Sequence, residues 1–447
     1  MKLRPHRLAA LLLAASASGS LGLRAQAITP AVSESAWPSP VAKANSKLPC
    51  WLRFAGEERL RGEGTLGIGF KDQTDRYLLN RVRLDMQILP SNWLKFEFQA
   101  QDARAFWREE PGKPPYQNTW DLRLAYMELG NLDRYHAMFR MGRQELAFGD
   151  ERLIGNSNWT NAARSFDGYR AAVRFKKFRV DAFAASVVVL SNGDVGRHMP
   201  GNYTEGLYGE IDHVIPNATV QPYFIWRRNP GQKLGNGILG TEAFGTTGVR
   251  WIGKLPANFS YNSETAIQRG SLGTDSVAAW ATHLEIGHQF PTTWRWQPKY
   301  VAEYNYASGD RNVNDTTRGT FDTLYASSHN KIEFADQVGW KNVQEFRTGP
   351  DFKPYRKLLI AIRYADIWLA NAHDALYASN GTPTVIRADG SAGRWVGQEF
   401  DGTAIYSFTK ANQLGGGYGY LLPGTFLKTA AGGHAYSYPF LFYSTSF

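Results

Sequence analysis

Beyond about residue 50, polar and apolar side chains alternate one for one, in segment after segment. In Arg81-Val82-Arg83-Leu84-Asp85-Met86-Gln87-Ile88 the odd positions are polar and the even ones apolar. After the turn Leu89-Pro90-Ser91-Asn92, Leu94, Phe96, Phe98 and Ala100 share one face, and Lys95, Glu97, Gln99 and Gln101 the other. Period two is the signature of a strand with one wet and one apolar face, and two such runs joined by a turn make a hairpin. Residues 121–126 put Leu122, Leu124 and Tyr126 on an apolar face. The pattern returns at Tyr169–Phe175 around Arg170 and Arg174, and at Trp280–Ile286 around His283 and Glu285. It returns again at Lys299–Tyr306 around Glu303 and Asn305, at 358–365 around Arg363, and at 401–408 around Asp401. Pro439-Phe440-Leu441-Phe442-Tyr443-Ser444-Thr445-Ser446-Phe447 closes the chain on an aromatic strand.

These runs pair charge on one face with aromatics on the other. An exported sandwich or propeller would also alternate, but a soluble core has little use for so many charges opposite so many aromatics. A membrane barrel needs that division: its outside meets lipid with aromatic girdles at the interfaces, and its lumen is polar. Aromatics make up 14% of the chain while the mean hydropathy is only −0.39, as expected when half the strand residues face water. No stretch beyond the N-terminus approaches the ~20 apolar residues of a spanning helix. Lipid also forbids unpaired backbone, so the strands must close on themselves.

The N-terminus carries the export pattern: basic Lys2, Arg4 and Arg7, an apolar run over 8–15, and Ala25-Gln26-Ala27. We expect a signal peptide at 1–27 cleaved after Ala27, a flexible periplasmic lead-in at 28–49, and the barrel at 50–447. Cleavage removes four of the 50 basic residues and none of the 40 acidic ones, leaving a net charge of +6. With no zinc-finger, helix-turn-helix or aromatic RNA-binding pattern, nucleic acid is excluded as a partner. Cys50, the single cysteine, excludes a disulfide framework. At roughly 22–25 residues per strand, the mature length gives 16–18 antiparallel strands, an all-β barrel wide enough for an aqueous lumen. Candidate outer loops are 109–118, 150–164, 192–205, 229–242, 309–320 and 371–391.

One stretch is more specific than generic barrel. Met141-Gly142-Arg143-Gln144-Glu145-Leu146-Ala147-Phe148-Gly149-Asp150-Glu151-Arg152-Leu153-Ile154-Gly155 is followed by Asn158-Trp159-Thr160-Asn161 and Arg164-Ser165-Phe166-Asp167-Gly168. Further pieces lie at 303–310, 334–340, 368–377, 396–401 and 417–419. Together they resemble the alginate export family of outer-membrane porins over roughly 51–447. The resemblance implies 18 strands, an Arg-lined lumen, residence in a Gram-negative outer membrane, and export of an anionic polysaccharide such as alginate. Its motif falls on Gly142, Arg143, Gln144, Glu145, Gly149, Asp150, Arg152, Gly155, Phe166, Asp167 and Gly168. We expect this segment to form a loop that also shapes the pore.

An anionic polymer needs charge offset without trapping, and arginine's planar fork suits carboxylates. The wet faces offer Arg81, Arg83, Lys95, Arg123, Arg140, Arg170, Arg174, Lys299 and Arg363, and the motif region adds Arg143, Arg152 and Arg164. Asp85, Glu97, Asp121, Glu285, Glu303 and Asp401 share the faces, so wall ion pairs compete with substrate contact for each arginine. The alternatives are a general uptake porin for small organic anions or sugars, and a non-conducting scaffold plugged by its loops. Catalysis is not expected: Ser327-Ser328-His329 is adjacent in sequence, and the nine histidines show no metal-ligand spacing. No cofactor is implied. Asp310, Asp315 and Asp322 could hold Ca²⁺ in an outer loop, though without EF-hand spacing. The expected partners are outer-membrane lipid, a polar or anionic saccharide and, for export, periplasmic components, around a monomer.

Overall fold

A computed structural model describes residues 40–109, 112–233, 239–312 and 314–447. The expected signal peptide and residues 28–39 lie outside them. Eighteen antiparallel strands form the wall: β1 (Leu52–Leu66), β2 (Thr74–Ser91), β3 (Leu94–Phe106), β4 (Asn118–Asn131), β5 (Ala137–Gln144), β6 (Phe166–Phe175), β7 (Phe178–Ser191), β8 (Tyr203–Asp212) and β9 (Ala218–Lys233) make the first half. The second half is β10 (Leu239–Leu255), β11 (Phe259–Leu272), β12 (Asp275–Gln289), β13 (Lys299–Ala307), β14 (Val343–Tyr355), β15 (Leu358–Leu369), β16 (Trp395–Ser407), β17 (Asn412–Pro423) and β18 (Tyr436–Ser446). Each strand pairs with its neighbour, and β1 closes on β18 with Leu60 opposite Tyr443. Closure leaves no free edge, which is what lipid requires.

Tight turns join β2 to β3, β6 to β7 and β14 to β15 at the end where the chain enters and leaves the barrel; the long loops lie at the other. Short turns are periplasmic in such barrels and long loops extracellular. The outer face carries Leu84, Trp280, Tyr304, Phe400 and Leu441, all exposed. Trp51, Trp93, Trp251, Trp294 and Trp296 mark the periplasmic girdle, and Trp107 and Trp120 the outer one. Among the described residues no helix is long and apolar enough to cross a membrane; the strands do so instead.

The alternation placed most inner faces correctly, with one parity error. A bulge in β4 opposite Gln99 and Ala100 puts one extra residue between Leu122 and Leu124. Leu122 stays outside, while Leu124 and Tyr126 turn inward and are buried. Tyr126 then lies under Arg140, 4.3 Å from the guanidinium carbon. Period two cannot survive an inserted residue. The loop expected at 229–242 is mostly wall: β9 and β10 run on to Lys233 and from Leu239. The loop expected at 309–320 is instead one end of a much longer segment, 308–342.

Loop residues pack into the extracellular half of the barrel. Leu146, Leu153, Ile154 and Trp159 from residues 145–165 pack with Phe321, Ile332, Phe334 and Trp340 from 308–342. The inner faces of β16, β17 and β18 supply Val396, Leu421, Tyr436, Tyr438, Phe440 and Phe442. Apolar loop residues have no reason to sit in a watery lumen singly. Collected together, they form a small core within the barrel.

Candidate functional site

Two loops turn into the barrel and meet. A parallel bridge joins Ile154 to Tyr325, and the Gly155 N–H donates to the Tyr325 carbonyl at 2.9 Å. A Cβ on Gly155 would stand 2.4 Å from Ser327 Oγ, so the approach requires glycine. Gly149 has φ +57, and a Cβ there would meet the Tyr208 hydroxyl at 2.4 Å. Arg164 fastens the junction, donating to the carbonyls of Gly155 and Ala326 at 3.0 and 3.1 Å and to that of Tyr325.

The tip of the first loop rests on a wall of arginines. Arg59 donates to the carbonyls of Asn158, Trp159 and Thr160 at 2.9–3.0 Å. Arg61 donates to the Trp159 carbonyl at 2.5 Å. Arg81 reaches the Asn158 and Thr160 carbonyls at 2.9 and 3.1 Å and pairs with Glu57. Arg83 donates to Asn158 Oδ1 at 2.8 Å and to Gln101 at 2.9 Å. Arg123 pairs with Glu145 at the root of the loop. The Trp159 ring has Arg61 4.0 Å from its centroid and His329 stacked at 4.1 Å. On this wall five guanidiniums face four carboxylates: Glu57, Glu63 and Glu145 in ion pairs, and Asp85 within electrostatic reach of Arg83 and Arg123. Neutral main-chain and side-chain carbonyl oxygens accept most of their other hydrogen bonds.

These arginines are therefore anchors, and all five are at most 4% exposed. With the loops in place, most of the arginines named from the sequence are engaged in ion pairs or hydrogen bonds within the protein. Arg152 pairs with Asp150 at 3.3 Å and approaches His283 at 3.3 Å. Asp150 is held below the usual carboxylate range: burial alone would raise it, but Lys331 and Arg152 outweigh that. Arg143 bonds Asp167 at 2.8 Å and the Gly196 carbonyl at 2.7 Å, stitching the 194–198 hairpin to the short β5 and β6. Arg363 pairs with Asp351 at 2.6 Å.

Nearer the periplasm the wall stays accessible. Arg140 sits directly opposite Arg170 on the neighbouring strand, and Arg174 opposite Arg179. Asp181 serves both Arg170 and Arg179 at 2.7 Å, while Glu128 holds Arg140 and exposed Asp133 holds Arg174. Lys95 pairs with Glu97 at 2.7 Å, and Lys299 makes no ion pair among the described residues. The suggested calcium cluster does not assemble. Asp322 pairs with Arg227 at 2.7 Å, Asp310 lies 3.4 Å from Arg318, and Asp315 caps Thr317. Ser327 donates to Glu151 and His329 bonds Asp336, each at 2.8 Å or less.

Arg59, Arg61 and Arg347 were missed, although Glu57-Glu58-Arg59-Leu60-Arg61-Gly62-Glu63 alternates as plainly as β2. Arg81→Ala should remove the hydrogen bonds to Asn158 and Thr160 and the nearest partner of Glu57. Truncating one member of a buried pair costs about 3–5 kcal/mol. Arg83 remains 3.7 Å from Glu57, so we expect about 3 kcal/mol, read as a shift in urea unfolding in micelles. An unchanged midpoint would mean the anchor contributes nothing.

No curated protein matches the sequence. Solved outer-membrane structures share the fold at low identity. Pseudomonas aeruginosa OpdQ is 11% identical with a TM-score of 0.60, over 89% of this chain and 97% of that one. P. aeruginosa OccK8 (OprE) is 11% identical at 0.59, over 89% and 98%. P. aeruginosa OpdK, solved with vanillate, is 8% identical at 0.56, over 88% and 98%. The alginate export family model matches residues 50–440, so the chain belongs to that family, and with its closed barrel and lipid-facing girdles it is an integral outer-membrane channel protein.

Proposed function

We propose that the channel passes an anionic saccharide outward by diffusion, and that the carbonyls of residues 158–160 hold the place its oxygens take. One observation carries this reading: Arg59, Arg61 and Arg81 converge on three consecutive neutral carbonyls, on a wall with more guanidiniums than carboxylates. A polyuronate offers carboxylates and hydroxyls in similar succession, and carboxylates bind the guanidinium fork more strongly than amide carbonyls do. Weak, repeated contacts let the chain move on. The strip at Lys95, Arg140, Arg170, Arg174 and Arg179 gives an anion its first contacts from the periplasm.

Single-channel recording tests this. In a salt gradient the reversal potential should be anion-selective, and a short polyuronate on the periplasmic side should reduce the current where a neutral oligosaccharide of equal length does not. Substituting both Arg140 and Arg170 with Glu should move selectivity toward cations. Cation selectivity of the parent, or equal block by neutral sugar, would overturn the reading. The two in-turned loops favour a second one, a path for small organic anions; block by monomeric but not oligomeric uronate would select it.

A further inference from the structure

Strands β12 and β13 bring His283, Glu285 and Glu303 together on the lumen wall. Glu285 and Glu303 are direct cross-strand partners, and His283 is the next residue on the same face of β12. The imidazole and the two carboxylates each offer a ligand atom within 4.8 Å of the others. Neither Glu285 nor Glu303 makes an ion pair or hydrogen bond among the described residues, although Glu303 also stands directly opposite Arg347 on β14 and Lys299 and Arg152 lie within electrostatic reach of Glu285. Like charges directly opposite each other in a sheet repel, and a cation held between them relieves that repulsion. Nearby, Asp401 pairs with Arg347 and Asp351 with Arg363.

The histidine is oriented from behind. Asn305 Nδ2 donates to Glu345 Oε2 at 2.7 Å, which turns Asn305 Oδ1 toward His283 Nδ1 at 2.8 Å. An amide oxygen only accepts, so Nδ1 carries the proton and Nε2 presents its lone pair. Metal-bound histidines are held in this way by their second nitrogen. Arg152 Nη2 lies 3.3 Å from Nε2. Arg152 also holds Asp150 at 3.3 Å and the Lys331 carbonyl at 3.2 Å, so it can yield Nε2 and keep its place.

We propose that His283, Glu285 and Glu303 form a lumen site for a divalent first-row cation such as Zn²⁺. One imidazole nitrogen and two carboxylate oxygens, with room left for water, suit that class of ion. The ion neutralises the facing carboxylates and joins β12 to β13 beside Arg152 of the in-turned loop.

The test is calorimetric titration of the full, tag-free chain in micelles with Zn²⁺, folding being verified by heat-modifiable gel mobility. One saturable site is expected. Glu303→Gln and Glu285→Gln should each abolish it, and Glu285 is the more exposed, so its variant keeps the test available if the other fails to fold. Asn305→Ser should weaken binding by about 10–100-fold. Exposed Asp389→Asn should leave it unchanged. X-ray absorption at the zinc edge should give a nitrogen among oxygen ligands. No saturable binding, binding that survives both Gln variants, or an all-oxygen shell overturns the site. No saccharide enters the measurement, so the outcome is separate from the question of cargo.

Discussion

Replacing residues 147–163 with a short glycine–asparagine turn should raise single-channel conductance several-fold and sharpen anion selectivity while leaving the barrel folded. Gln144 and Phe166 are direct cross-strand neighbours, so the shortened link closes an ordinary hairpin. The deletion removes the carbonyls that occupy Arg59, Arg61 and Arg81, together with Leu153, Ile154 and Trp159 of the inner core. Water then replaces loop atoms around five guanidiniums that outnumber their carboxylates. Solvation substitutes for the lost hydrogen bonds, so the wall keeps its charge without burying it. Planar-bilayer recording decides the matter. An unchanged conductance would move the constriction to residues 308–342 and leave the first loop as packing alone.

The second large effect is a response to pH located in the other loop. Glu333 is 1% exposed and accepts N–H groups from Ala335 and Val338 at 2.6 and 2.9 Å. Its neighbour Glu399 on β16 accepts from Phe334 and Ala335, and the two carboxyls are hydrogen-bonded to each other. Burial, then the nearby Asp336 carboxylate, pushes Glu333 up to about 8. A folded-state value raised above the ordinary 4.5 contributes stability that is complete below the ordinary value and lost as pH rises through the folded one. Docking of residues 308–342 should therefore be firmest below about pH 4.5 and loosen progressively as pH rises to about 8. The conductance of the parent should rise and grow noisier across that range. Glu333→Gln carries no charge and can donate to Glu399, so it should flatten the profile. A parent profile that is already flat, or one that Glu333→Gln leaves intact, would remove Glu333 from the gate.

Both experiments probe features that the alternating pattern did not contain. Period two reports which face of a strand is wet, and it put Arg81, Arg83, Arg170, Glu285 and Glu303 on the inner wall. It does not report what fills the space those residues face. A guanidinium is satisfied by any correctly placed oxygen, and here the oxygens are main-chain carbonyls of residues 158–160, about 77–101 positions away along the chain. Main-chain acceptors have no residue signature, so sequence alone could not separate an arginine that anchors a loop from one that meets a substrate. The bulge at Arg123 was hidden for a related reason: one inserted residue reverses inward and outward beyond it, and no composition cue marks it.

The sequence by itself determined a closed antiparallel barrel, the membrane it spans and the polarity of its two faces, because strand periodicity and the demands of lipid act on each segment locally. The family motif marked the segment 142–168. Only the tertiary structure decided that this segment turns inward and binds the basic wall, that residues 308–342 meet it, and that His283, Glu285 and Glu303 converge. Those outcomes depend on distances between residues far apart in the chain, which closing the barrel creates and no local pattern encodes.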